Sequence, residues 1–287
     1  MGLFQRSTVM PEPLLALLLA LSIPSVLWAQ TAPKLEKELQ PKEMSAADLA
    51  KAAQNPVANM NSIPVQFNWT TGGGLGDATQ SVINVQPVLP LPINKEWILV
   101  ARTVVPMVNL PLPGGQRSTG IGDIQGQFYF VPAESGKLIW GLGPIFSFPT
   151  ATNSVLETGQ FALGPTGVAL AMPGPWVVGG IANNLWRVGG SDSTSAINAL
   201  FLQPFINYNF GVSGWSLVTS PAITANWSAA SGQEWTVPIG LGVSKITTVG
   251  KQSMSVSINY YHNAVRPDAA GADVIRMQFV LLYPKGR

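Results

Sequence analysis

Reactive groups are scarce in this chain. The single histidine, His262, stands beside Asn263, with no acidic or thiol partner at a spacing that would build a zinc site or a nucleophilic triad. A hydrolase would have only His262 and a nearby serine to work with. The glycine-rich stretch "TTGGGLGD" (70–77) lacks both the spacing and the following helix of a phosphate loop, and reads as a hairpin tip. No catalytic residue, cofactor or metal site is expected. What remains is a sparse set of charges, Arg102, Asp123, Arg187 and Arg276, on segments that also carry Gln125, Gln127, Gln203 and Gln278. Arg102 and Asp123 fall on adjoining segments where they would face each other. Such a pair serves either as a charge filter or as a buried contact that fixes strand register.

These side chains share one parity. In "VIRMQFVLLYP" (274–284), Ile275, Met277, Phe279, Leu281 and Tyr283 alternate with a set that begins Arg276 and Gln278. Successive side chains of a strand point to opposite faces, so the stretch has one apolar face and one that starts polar. "IPVQFNWT", "DIQGQFYF" and "SMSVSINY" follow the same rule. Twelve such segments can be marked, at 62–70, 80–90, 97–106, 121–131, 138–148, 160–171, 176–187, 198–210, 215–227, 234–246, 253–262 and 273–283. Most are close to the roughly 9–11 residues that a tilted membrane strand needs, and the number is even, as bacterial barrels prefer. Connections alternate between tight turns such as "MPGP" and longer stretches such as "MVNLPLPGGQRSTG" and "PTATNSVLETG". Short periplasmic turns and long external loops give that asymmetry, which puts both chain ends in the periplasm.

Composition agrees. Only 10% of the 287 residues are charged, against the roughly 25% usual in soluble proteins, while Gly (29) and Pro (24) are plentiful. A net charge of +2 gives no footprint for nucleic acid, and the absence of cysteine leaves stability to backbone pairing and packing. Tryptophans cluster by level. Trp97, Trp140, Trp176 and Trp215 open segments that follow tight turns, whereas Trp69, Trp186 and Trp227 fall near the other ends. Trp176 and Trp186, ten residues apart on one face, would be separated by roughly 25 Å across a tilted strand, the height of an apolar membrane band. Two interfacial girdles explain this. Prolines 87, 144, 165, 204, 221 and 238 fall inside segments, where each removes a ladder donor and is expected to bring a bulge.

The expected organisation is a signal peptide at 1–29, with an apolar core at 14–29 and cleavage after Ala29; an N-terminal periplasmic arm at 30–61; and a barrel at 62–287. The arm carries a short helix from Ala46 to Gln54, started by Ser45 and Asp48 and stopped by Asn55 and Pro56, that is either a plug or a loose leader.

The stretches "GIGDIQGQFYFVPA", "WGLGPIFSFPTAT", "LGPTGVAL", "GPWVVGGIANNLW", "LQPFINYNF", "WTVPIGLGVSK" and "QFVLLYPK", spanning about 55–285, resemble the MetA-pathway phenol-degradation or transporter family of Gram-negative outer-membrane proteins, sometimes mislabelled neuromedin U. The resemblance implies a barrel linked to transport of small, often hydrophobic compounds and transfers no site residues. The last segment also resembles a barrel-assembly signal through Arg276, Leu281 and Tyr283, with Gln278 where Gly is usual.

The expected fold class is therefore all-β, a transmembrane antiparallel up-and-down barrel of about twelve strands with a short N-terminal helix. Its partners would be outer-membrane lipid, the barrel-assembly machinery and an unknown small solute, with no nucleic acid. About twelve strands lie between the eight that side chains fill and the sixteen or more that leave a channel, and Phe201, Phe205 and Tyr261 narrow the lumen further. A narrow passive channel for small weakly polar or aromatic solutes is the expected function. The alternative is a non-conducting envelope barrel with a structural or partner-binding role.

Overall fold

The computed structural model describes residues 44–73, 78–191 and 195–283, all within one compact unit. The expected signal peptide lies outside the described residues, as do 30–43 of the arm. Alternation has made strands of nearly everything else: β1 (Asn61–Thr71), β2 (Gln80–Val85), β3 (Val88–Pro92), β4 (Trp97–Pro111), β5 (Arg117–Ile121), β6 (Ile124–Pro132), β7 (Leu138–Phe148), β8 (Gln160–Ala171), β9 (Trp176–Gly190), β10 (Asn198–Asn209), β11 (Trp215–Thr219), β12 (Ile223–Asn226), β13 (Trp235–Val249), β14 (Gln252–Val265) and β15 (Asp273–Tyr283). Each pairs antiparallel with its neighbours, and β15 returns to β1 with Tyr283 opposite Asn61 and Asp273 opposite Thr71. The sheet is a closed barrel without edges.

Fifteen strands make twelve staves, because β2–β3, β5–β6 and β11–β12 are each one stave with an interruption. Two of the interruptions are proline breaks that leave the register untouched. On β1, Val65 faces Val85 and Ser62 faces Val88, so three steps on one side match three on the other across Pro87. On β10, Ile206 faces Thr219 and Leu202 faces Ile223, so the ladder also keeps count across Pro221. The expectation that prolines bring bulges holds at Pro238, where the register shifts between Val237 and Pro238. Pro144 and Pro165 sit opposite each other. Pairing lapses on their far sides, between Gln127 and Phe130 along β6 and between Leu163 and Thr166 along β8. The donors that two prolines lack are thereby concentrated in one part of the wall.

The third interruption is a true bulge. From Met107 to Val104 is three steps, while their partners Ile121 and Gln125 are four apart. The extra residue bends the stave at 122–123. Residues 107–111 and 117–120, expected as part of a long loop, instead extend the β4–β5 hairpin, with Pro111 opposite Arg117 and Asn109 Nδ2 donating to Thr119 Oγ1 at 2.6 Å. The tight connections at 93–96, 133–137, 172–175, 210–214 and 250–251 all lie at one end of the barrel, together with the start of β1 and the end of β15.

A helix, α1 (Ala46–Gln54), precedes the barrel. Ser45 caps it by accepting from the Asp48 amide at 3.1 Å, and Asn55 ends it, its side chain accepting from Val57 N at 3.0 Å. Leu49, Ala50 and Met60 pack on Ile246, Val280 and Leu282, and Val57 joins Val88, Val100, Tyr129, Val177 and Phe205. Those partners point into the barrel, so α1 and the residues after it occupy the lumen at the tight-turn end. The helix is therefore packed and is not a loose leader.

Outside, the pattern is inverted relative to a soluble protein. Leu142, Ile239, Leu241, Ile258 and Ile206 are each more than half exposed. A surface like this suits hydrocarbon and not water. Replacing Leu241, midway along β13, with arginine is expected to cost about 2–4 kcal/mol of folding stability in lipid vesicles, measured by denaturant titration. An unchanged midpoint would mean that this face does not meet lipid.

Candidate functional site

Inside the barrel lies a cavity of about 820 Å³. Ala53, Gln54, Asn55 and Pro56 line it at the tight-turn end, and Gln233, Glu234, Pro267 and Ala270 line it near the long connections. Gln54 is held by a reciprocal amide contact with Asn209 on β10, at 3.0 and 3.3 Å. The far wall is filled: Tyr129 and Ile145 are fully buried, and the Tyr129 hydroxyl donates to Gln127 Oε1 at 2.8 Å and accepts from Thr166 Oγ1 at 3.2 Å. The open volume is therefore eccentric: residues from β9 through β15, from β1 through β4 and from β6 line it, and none from β7 or β8 does.

Among the described residues three charged side chains line it: Arg102, Glu234 and Arg276. Arg276 is 7% exposed. Its Nε donates to Asn68 Oδ1 on β1 at 2.9 Å, its Nη1 donates to the Ser220 carbonyl at 2.9 Å, and its guanidinium carbon lies 4.9 Å from the centre of the Tyr261 ring. Ser220 lies in the break between β11 and β12, three staves from β15, so Arg276 runs as a chord across the lumen. The break matters, because Ser220 and Pro221 form no rungs there and the Ser220 carbonyl is free to face inward. Gln203 Nε2 donates to the same carbonyl at 3.3 Å, and Tyr261 Oη accepts from Ser220 N at 3.1 Å.

Amides continue the polar face. Gln66 donates to Gln278 Oε1 at 3.3 Å and accepts from Asn68 at 3.4 Å and from Asn84 at 3.5 Å. Nearer α1, Arg102 donates to Gln127 Oε1 at 3.4 Å and also to Gln86 Oε1. Gln125 reaches the cavity beside it.

The expected Arg102–Asp123 pair does not form. The bulge takes Asp123 out of the ladder, and its carboxylate accepts from Thr150 N at 3.0 Å, Ala151 N at 3.1 Å and Thr158 N at 3.2 Å. Asp123 ties down the 149–159 connection. Part of that connection folds inward, since a Cβ on the inward-facing Gly120 would meet Thr152 Oγ1 at 2.3 Å. Arg187 is likewise away from the cavity wall: its Nη1 donates to the Ser191 carbonyl at 3.2 Å, next to the register shift at Phe161/Ala162. Of the eight expected lumen residues, Arg102, Gln125, Gln127, Gln203, Arg276 and Gln278 line the cavity, and Asp123 and Arg187 do not. Alternation puts Asn68 on the polar face without singling it out, and it fails to identify Ser220 as part of the site. The Pro221 break was the available signal for Ser220.

Tryptophans form two outward rows. At the tight-turn end Trp97 and Trp140 make an edge contact at 6.0 Å, Trp176 packs on Tyr208 at 4.8 Å, and Lys245 Nζ sits 5.1 Å from the Trp215 ring. At the other end Trp69 stacks on Phe67, Trp186 is exposed, and Trp227 meets Trp235 at 5.3 Å. Trp235, which opens β13 after a long connection, belongs to this second row and was missed from the sequence.

No family model matches the chain, and no curated protein matches it. Its fold is similar to that of an outer membrane channel from Pseudomonas putida F1, at 12% identity and a TM-score of 0.60, covering 78% of this chain and 96% of that one. A FadL homologue from Pseudomonas aeruginosa matches at 10% identity and a TM-score of 0.42, over 81% of this chain and 93% of that one. The likeness to the first of these is one of fold alone.

Proposed function

We propose that this chain is a bacterial outer-membrane channel for small, weakly polar or aromatic solutes, shut at rest by α1 on the periplasmic side. The observation that carries the reading is the combination of an apolar outer wall with an amide-lined cavity of about 820 Å³, floored by Ala53–Pro56 and narrowed by Arg276. A wall that needs lipid outside and amides inside has its chemistry arranged for traffic through the middle. The tryptophan rows act as the interfacial girdles, with bilayer lipid as the solvent of the outer face. No step of catalysis is assigned, and the last stave, with Arg276, Leu281 and Tyr283, is the segment offered to the barrel-assembly machinery.

The full chain in planar bilayers is expected to give small, infrequent unit openings, and liposomes containing it should take up small aromatic solutes faster than protein-free ones. Absence of both would reject the channel and leave the fold standing. The floor made by α1 also favours the second reading, a non-conducting barrel with an envelope role. If the barrel passes no current even with the helix displaced, that reading replaces the first.

A further inference from the structure

We infer that the Arg276 chord and the β10 face beside it form a binding site for a small organic anion, a carboxylate carried on an apolar or aromatic body. This deepens the channel reading and depends on it only for the direction of traffic.

Among the described residues, the cationic half of the site is a charge without a counter-ion. Every acceptor around Arg276 is neutral: the Asn68 amide oxygen, the Ser220 carbonyl and the face of Tyr261. Arg102 is in the same condition, bonded to two glutamine oxygens. Among the described residues the one carboxylate on the cavity wall is Glu234, near the long connections, where it accepts from Gly232 N at 2.9 Å. A guanidinium removed from bulk water and given only dipoles is costly to keep, and an arriving anion offsets that cost. The guanidinium fork is also the group best shaped to take a carboxylate through two parallel hydrogen bonds.

The apolar half is set by register. Gln203 shares the Ser220 carbonyl with Arg276, so the two side chains converge on one oxygen. Phe201 and Phe205, two positions away on either side of Gln203, point to the same side of the strand and also line the cavity. The charged end of a ligand at Arg276 would therefore leave its body against aromatic rings. A site of about 820 Å³ falls in the range of roughly 300–1,000 Å³ that encloses small organic ligands. A naked inorganic ion would satisfy the arginine and waste the rings, and a neutral hydrocarbon would do the reverse.

The test measures binding, not flux, so a barrel that conducts nothing can still support the site, and a conducting barrel can still refute it. Benzoate is titrated calorimetrically into the purified full chain in detergent, in parallel with benzyl alcohol as a neutral analogue and with chloride. Saturable benzoate binding at least tenfold tighter than either is expected. Arg276→Gln should lower benzoate affinity tenfold or more and leave the weak response to benzyl alcohol as it was. A gel assay of heat-induced mobility shift establishes that this variant forms the barrel. If it does not, Phe205→Ala is the second variant, expected to weaken benzoate while leaving chloride unaffected. Equal affinity of wild type and both variants for benzoate, or equal affinity of wild type for benzoate and chloride, would overturn the assignment.

Discussion

Leu49→Asp is expected to turn a mostly shut barrel into one that is mostly open. The Leu49 side chain is buried against Ile246, Val280 and Leu282 at the tight-turn end of the lumen. A carboxylate in that apolar seat has no partner, and the penalty of about 3 kcal/mol falls only on the seated helix, since the displaced helix is in water. At about 1.4 kcal/mol per factor of ten, the ratio of displaced to seated helix should rise on the order of a hundredfold. Single-channel recordings would show this as longer open time at an unchanged or larger unit current. Because the sequence contains no cysteine, the converse experiment is clean. Gln54→Cys and Asn209→Cys replace an amide pair that already meets across the floor, and bridging them with a short bismaleimide should hold the current near zero. If Leu49→Asp leaves open time unaltered, α1 is not the barrier.

Gly164→Ala should prevent a stable barrel from forming. A Cβ at residue 164 would lie 1.6 Å from the Asn184 carbonyl oxygen of the next stave, well inside any non-bonded contact. The obstacle is backbone in a closed ladder, so no side chain can swing aside to relieve it. Gly143, one stave over, has the same problem with the Phe128 carbonyl at 1.9 Å. Both residues stand beside the facing prolines Pro144 and Pro165, where pairing has already lapsed. Overpacking of this kind costs at least the upper end of the usual range, about 3 kcal/mol. The mobility-shifted form on unheated gels is expected to disappear, whereas Gly189→Ala, with nothing within 4 Å of its new methyl, should behave as wild type. A Gly164→Ala barrel of normal denaturant midpoint would show that the two staves can separate at no cost.

The wall was readable from alternation because lipid and lumen impose opposite demands on successive residues; β14 carries that contrast from Ser253 to Tyr260, and β15 carries it at Arg276 and Gln278 before Val280 and Leu282 turn apolar to seat α1. Even staves broken by Pro87 and Pro221 were found, since the ladder keeps its count through both. Asp123 was misplaced for the complementary reason. One extra residue at 122–123 reverses parity, and no local pattern announces it, because Gly-Asp reads equally well as strand or bend. Strand parity says which side of the wall a residue takes and nothing about what it meets beyond its neighbours. The reach of Arg276 to Ser220 and the seating of α1 against Ile246 and Val280 are contacts between distant parts of the chain. Both depend on the closed barrel, and neither leaves a periodic trace.

The chord from Arg276 to Ser220 separates girth from sieve. Circumference is fixed by how many staves close the ring, but the width left at this level of the lumen depends on one side chain pinned to a carbonyl in a stave break. If the barrel conducts as proposed, a substitution at 276 would recalibrate what passes without changing the number of staves.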